Sequence, residues 1–342
     1  MPATNNSLPD WQRAYGGPIF QGLIRQTPSD FQVTEILGFT PSGEGEHDFL
    51  WIEKTAANTV WVARSLARHA GVPDRDVGYA GLKDRHALTR QWFSVRRPGG
   101  GGTDWQSYEQ SGVRILEASR NQRKLKRGAN SANRFRIAIR GFRGDLETLT
   151  KCLERIRADG VPNYFGDQRF GRDGGNMQLA KELFSGKRLK RDKRSIALSS
   201  ARSYLFNEIL QARVIDDNWS QALPGEVLNL DGTGSVFTPN VIDADIESRI
   251  ASLDIHPTGA LWGKGEPTGH GKAIDYDRNA AAGRPDLANG LVKFGLSQAR
   301  RALRLNVEEL SWRFIDEALW LEFRLTGGAF ATAVLRELVS CE

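Results

Sequence analysis

The stretch Gly81-Leu82-Lys83-Asp84-Arg85-His86-Ala87-Leu88-Thr89-Arg90-Gln91 sets one carboxylate between two cations, at the end of one predicted strand and just ahead of another. Neighbouring positive charge favours the ionised form of an acid, and an ionised carboxylate can act as a nucleophile towards carbon. The same residues also suit a solvated turn, because Lys-Asp pairs are common where a chain reverses. Lys83 and Arg85 are the nearest candidates for holding Asp84 in charged form. Adjacent residues of an extended chain point to opposite faces, so at most one of them need aim at it. A more distant cation would serve as well. His86 suggests a general base, but a lone histidine beside a turn is more often a structural hydrogen-bonding group, and it stays outside the catalytic set.

The elements that must position Asp84 can be read from periodicity. Asp30 to Glu35 and Phe49 to Glu53 alternate with period two and read as strands. A helix follows, with Asn58 as its N-cap, Val62, Ala63, Leu66 and Ala67 on one apolar face, and Gly71 and Pro73 as its stop. Val77 to Ala80 makes a short strand leading into the Asp84 segment. Gln91 to Arg96 alternates again, with Phe93 and Val95 on one side. Asp84 is thus expected between two strands of a sheet. Gly99 to Gly102 reads as a surface loop and not a phosphate cradle, since no Lys-Ser or Lys-Thr pair follows it.

Further on, Arg134 to Arg140 alternates with Phe135, Ile137 and Ile139 inward and Arg134, Arg136 and Arg140 outward, which predicts a positive sheet face. Leu319, Leu321, Phe323 and Leu325 mark a late strand, with a helical stretch from Ala329 to Val339 after it. Between these lies a region of different texture. Ser200 is expected to cap a helix carrying Leu205, Ile209 and Leu210, and His256 to Gly271 is expected to be a long loop. A helical insertion within a sheet domain is the organisation this predicts.

The chain has 342 residues, enough for about two domains and a substantial core, and a net charge of +6. The positive charge is clustered. Arg120, Arg123, Lys124, Lys126 and Arg127 crowd one segment; Lys187, Arg188, Lys190, Arg191, Lys193 and Arg194 crowd another, with Asp192 the only acid among them. One such run is as easily a solvated face, but two favour a nucleic-acid backbone, whose binding should weaken steeply with salt. Cys152 and Cys341 are the only cysteines and have no metal-like spacing, so neither a disulfide framework nor a zinc site is suggested. Met1 to Trp11 is polar, and no segment approaches about 18 uninterrupted apolar residues. A soluble, untargeted cytoplasmic protein is expected, and a monomer, since no apolar heptads suggest association.

These residues also carry a resemblance. Gly81-x-Lys83-Asp84-x-His86-Ala87-x-Thr89-x-Gln91 resembles the signature of the TruD family of tRNA pseudouridine synthases. Further blocks agree in order and spacing: Asp30-Phe31-x-Val33-x-Glu35, Gly43-Glu44-Gly45-Glu46-His47, Arg123-Lys124-Leu125-Lys126-x-Gly128, Asn133-x-Phe135, Val161 to Gly171, and Phe330-Ala331-Thr332 leading to Arg336-Glu337-Leu338. The resemblance implies an α+β fold: a pseudouridine synthase catalytic domain with a mixed, mainly antiparallel sheet, formed by residues 1–159 and 306–342, and interrupted by a TRUD insertion domain over 160–305. It also implies tRNA as partner, pseudouridine at position 13 as product, and no cofactor or metal.

It further implies that Asp84 is the nucleophile and that Phe31, Asn133 and Phe330 line the nucleotide pocket. The reaction detaches uracil from C1′ at N1 and rejoins it through C5. A carboxylate can add to C6 of the pyrimidine, add to C1′, or remove a ribose proton to give a glycal, and the residues do not choose among these. A stacked uridine must first be extruded at a cost of a few kcal/mol, and base–aromatic stacking is worth about 1–3 kcal/mol per base. Taken without the resemblance, Phe31 reads as core beside Val33, and Asn133 as a strand-start residue. Its amide can nonetheless both donate to and accept from a uracil edge. Phe135 reads as packing support, and Glu35 as a carboxylate without a role. Two other functions use the same features. A non-catalytic RNA-binding or RNA-folding module would not need Asp84, and a base-exchanging glycosyl transferase would release free base.

Overall fold

Alternating apolar residues build most of one sheet, and its register brings the sequence blocks together. The structure is a computed structural model that describes residues 8–97 and 102–341. Residues 1–7 of the polar N-terminal segment, and 99–101 of the expected glycine loop, lie outside the described residues. The fold is mixed α+β, as expected, and the chain divides into two compact units.

The first unit comprises Phe20–Leu146, Val307–Ala329 and Val339–Glu342. Its early strands are β1 (Phe20–Ile24), β2 (Phe31–Leu37), β3 (His47–Lys54), β4 (Val77–Tyr79), β5 (Leu88–Arg96), β6 (Val113–Asn121) and β7 (Asn130–Gly144). The sheet runs Glu308–Ile315, Ala318–Thr326, β7, β2, β5, β3, β6, while β1 pairs with β7 and with Val339–Cys341, and β4 pairs with β5. Only β2 with β5 and β1 with Val339–Cys341 are parallel. The sheet is therefore mixed and mainly antiparallel.

One helix, α1 (Thr59–Ala70), packs on this sheet with the predicted caps: the Asn58 side chain accepts from Val60 N, and Gly71 takes φ 65° at the C-terminus. Val62 and Leu66 are fully buried against Leu50, Ile52, Phe93 and Val95. The arginines of β7 do not form a bare positive face. Arg134 pairs with Glu309, Arg136 with Glu322 (3.2 Å), and Arg140 forks onto Asp30 at 2.7 and 3.0 Å, which holds the Asp30 carboxyl below the usual carboxylate range.

The second unit comprises Met1–Ile19, Glu147–Asn306 and Phe330–Leu338. Its core gathers around the helix Arg191–Ile215, against which the helices Gly175–Phe184, Gly271–Gly283 and Pro285–Lys293 and the strand Ile255–Leu261 pack. Two expectations fail here. Ser200 does not cap a helix: it lies inside Arg191–Ile215, and its hydroxyl donates to the carbonyl of Ile196 or of Arg169. The expected loop from His256 begins as a strand, Ile255–Leu261, buried on both faces along all but its last residue. Such a strand has no alternation to read.

Candidate active site

β4 and β5 are antiparallel neighbours, and residues 80–87 are the loop between them. Asp84 therefore lies where the alternation of the flanking strands predicts. Three ties below it fix the loop. Thr59 Oγ1, at the first turn of α1, accepts from Lys83 N (3.0 Å) and donates to Gln91 Oε1 (3.0 Å). Gln91 Nε2 donates to Gly81 O (3.2 Å). Lys54, 1% exposed at the end of β3, donates from Nζ to the carbonyls of Ala57 (2.8 Å) and Asp84 (3.1 Å). Burial pushes the Lys54 ammonium down to about 8, opposed by the charge of Asp84 and aided by that of Lys83.

Neither sequence neighbour pairs with Asp84. Lys83 turns inward and donates to Glu35 Oε2 at 2.8 Å, in a pair whose side chains are 7% and 0% exposed. Glu35 Oε1 accepts from Trp92 N (3.0 Å), so both its oxygens are used. Arg85 is exposed. The cation on Asp84 is Arg25, whose Nη2 lies 3.3 Å from Oδ2, while Oδ1 accepts from the backbone N of His86 (2.9 Å). His86 contributes its peptide N–H, and the residue is exposed. Arg25 follows β1 at φ 60° and stacks over the Phe31 ring, its guanidinium carbon 4.3 Å from the centroid. The carboxylate is held by one ion pair and one hydrogen bond and is still about 29% exposed. It is fixed and reachable.

The sheet register places the other expected residues. Phe31, Val33 and Glu35 face the same way on β2, opposite Ile137, Phe135 and Asn133 on β7. Phe31 is 4% exposed, with Phe135 edge-on at 6.4 Å. Asn133 is buried beside Glu35, and its Oδ1 has no hydrogen-bond partner among the described residues. Asp84, Arg25, Phe31, Lys83, Glu35 and Asn133 therefore form one connected group. Phe330 belongs to the second unit, where it is exposed and borders a cavity of about 450 Å³ with Arg169 and Thr332. Among the described residues no three His, Cys, Asp or Glu side chains are grouped to hold a metal, and no helix is long and apolar enough to cross a membrane.

Arg25, Lys54 and Thr59, and the pairing role of Glu35, are missing from the sequence reading. Their contacts span 24 to 59 residues, and no local pattern announces them.

The family model for tRNA pseudouridine synthase D (TruD) matches residues 13–187 and 180–338. A tRNA pseudouridine synthase D of Methylococcus capsulatus is 49% identical over 333 residues, covering 96% of this chain and 94% of its own. One of Nitrosococcus oceani is 47% identical, covering 95% and 93%. A crystal structure from Methanosarcina mazei, described as a tRNA pseudouridine synthase D (TruD), superposes with a TM-score of 0.72 at 19% identity over 97% of this chain and 95% of that one, a likeness of fold. With the signature loop standing between β4 and β5 and relatives matching almost end to end, the chain belongs to the TruD family.

Proposed function

We propose that this protein is a tRNA pseudouridine synthase that isomerises uridine 13 of tRNA, with Asp84 as its nucleophile and without a cofactor. What carries the proposal is the Asp84 carboxylate, gripped by Arg25 and the His86 N–H yet open to solvent on a loop anchored from β3 and α1. A nucleophile held this way loses little freedom on reaching the transition state. As uracil departs with the N1–C1′ electron pair, the chain must hold it, turn it and return C5 to the same carbon. The C5 proton then passes to solvent and N1 takes one up, so the exchange of a C–N for a C–C bond is an isomerisation and redox-neutral.

Asn133, with its unpartnered Oδ1, suits the N3–H of the uracil. Phe31 borders the same group beneath Arg25, and Phe330 offers an exposed ring to the RNA. Residues 160–305 form the TRUD insertion in this proposal, supported by the concentration of helices there, and residues 1–159 and 306–342 form the catalytic domain. The enzyme acts as a cytoplasmic monomer. The test is tritium release from tRNA transcripts labelled at uridine C5, with the modified position mapped. Wild type should release tritium from position 13 and leave no free uracil, while Asp84→Asn should bind tRNA and release none. Release by Asp84→Asn at the wild-type rate, or accumulation of free uracil, would remove the proposal.

A further inference from the structure

Two arginines of the second unit with buried side chains hold an acid. Arg213 pairs with Glu226 at 2.9 Å, and Arg300 pairs with Asp277. Arg169 and Arg301, both half-buried, are neighbours held without one. They share the Phe165 ring, with guanidinium carbons 5.2 and 4.2 Å from its centroid, and neither forms an ion pair among the described residues. Arg169 Nη1 donates to Ser199 Oγ (3.0 Å), and Arg301 Nη2 to Asn163 Oδ1 (2.6 Å), both neutral acceptors. Arg301 Nε is buried without a partner. Burial, and after it the charge of Arg169, bring the Arg301 guanidinium down to about 10. Two neighbouring cations, one with a buried and unpartnered N–H, favour an anion that supplies the missing charge.

Arg169 opens on the cavity of about 450 Å³ that Phe330 borders. Its polar lining is all neutral or cationic, with Ser195, Ser199, Gln168 and Asn176 beside Arg169 and no carboxylate. Hydroxyls, amides and a guanidinium suit a phosphate dianion or diester. The helix Arg191–Ile215 extends this track, since Arg191, Ser195 and Ser199 recur at four-residue spacing on one stripe. Arg191, Lys193 and Arg194 are exposed at its start, and Phe330 presents a ring 5.9 Å from the Arg169 guanidinium carbon. A cation beside an open aromatic face suits a phosphate and the base next to it.

We propose that this cavity is a phosphate subsite for the RNA backbone, in which Arg169 and the Ser195 and Ser199 hydroxyls hold one phosphodiester, Arg301 supplies charge from behind Phe165, and Phe330 stacks the adjoining base. The site rests on the assignment of an RNA substrate, and it gives Arg169, Ser195 and Ser199 of the second unit a binding role of their own.

The test is equilibrium binding of a tRNA transcript to the full chain over a range of salt concentrations. Arg169→Gln should weaken binding about tenfold or more and lower the slope of log K against log salt by about 1. Ser199→Asp, which puts a carboxylate against Arg169 without removing it, should weaken binding comparably at low salt, and Ser199→Asn much less. This second variant decides the matter if Arg169→Gln does not fold. Unchanged affinity and salt slope in the folded variants would overturn the proposal. It would also be overturned for RNA if inorganic phosphate raised the thermal midpoint of wild type but not of Arg169→Gln while tRNA binding stayed the same in both, because the site would then serve free phosphate. Binding is read apart from product formation. A chain that binds tRNA through Arg169 but releases no C5 tritium keeps this site and loses the catalytic assignment, whereas one that makes pseudouridine with an unaltered salt slope does the reverse. A chain that binds no tRNA loses both.

Discussion

Removing the Glu35 carboxylate leaves the Lys83 ammonium buried without a counter-charge directly under the Asp84 loop. Glu35→Gln should therefore lower stability by about 3–5 kcal/mol, the usual cost of breaking a buried pair from one side, whereas Glu35→Met with Lys83→Met should recover much of it. Urea unfolding of the two variants checks this, and equal stability of single and double variants would contradict it. Lys54 supplies a test with a definite sign. Burial brings its ammonium from 10.5 to about 8. Between those values the unfolded chain holds the proton that the folded one has lost, so the contribution of Lys54 to stability rises with pH across this window and is flat below it. The difference in unfolding free energy between wild type and Lys54→Met should accordingly grow in favour of wild type as pH rises from about 8 to 10.5. Denaturant midpoints at several pH values would measure it, and a difference falling with pH would refute it. Neither group announced its role in the sequence. Glu35 looks like any half-exposed strand acid, and the adjacency of Lys83 to Asp84 suggests a local pair. The strand and loop geometry sends Lys83 inward to a partner 48 residues away and leaves Asp84 to Arg25.

The hairpin of β4 and β5 is braced by the first basic run, which ties the placement of Asp84 to a segment that reads as a surface feature. Leu125 is buried and its N–H donates to Ser94 Oγ (2.9 Å), Gly128 N donates to Ala80 O (2.8 Å), and Arg127 stacks on Tyr79 at 3.8 Å. Gly78 makes room for this contact. A Cβ there would lie 2.3 Å from Leu125 O, a backbone atom that cannot swing aside, and 2.6 Å from the side-chain Ser94 Oγ. Gly78→Ala should cost about 1–3 kcal/mol and reduce product formation through a displaced loop, while Gly38→Ala, with only Ser131 Cβ at 3.5 Å, should leave stability nearly unchanged. Thermal unfolding with tritium release would check both, and equal midpoints for the two variants would refute the bracing. Elements with one wet and one dry face were legible, among them β2, β5, β7 and Ala318–Thr326, because burial alternates along them. Ile255–Leu261 was not, being buried on both faces and interrupted by Pro257 and Gly259. The start of Arg191–Ile215 was hidden by its own cations, which read as a solvated run ahead of the helix and not as its first turn.

Charge on the whole molecule is less evenly spread than a net +6 suggests, because many arginines are already neutralised. Those of β7 have Glu309, Glu322 and Asp30 as partners, and Lys187 has Glu182. Arg123, Lys126 and Arg127 in the first unit, and Lys190, Arg191, Lys193 and Arg194 in the second, are exposed and form no ion pair among the described residues. A polyanion gains most from cations without internal partners, since only these release its condensed counterions without first breaking a salt bridge. If one tRNA engages both runs at once, replacing Arg123 and Lys126 by Gln should lower the salt slope of tRNA binding by about 2, and replacing Lys190 and Arg194 should do the same. If the two runs act independently, the combined variant should lose the sum of the two binding free energies. Replacing Arg134 and Glu309 together, a cation and the acid that already neutralises it, should leave the slope unaltered. Binding isotherms at several salt concentrations would read all of these. A silent run would confine the RNA to one unit, and a combined loss no greater than either single loss would mean that the two runs bind it in alternation.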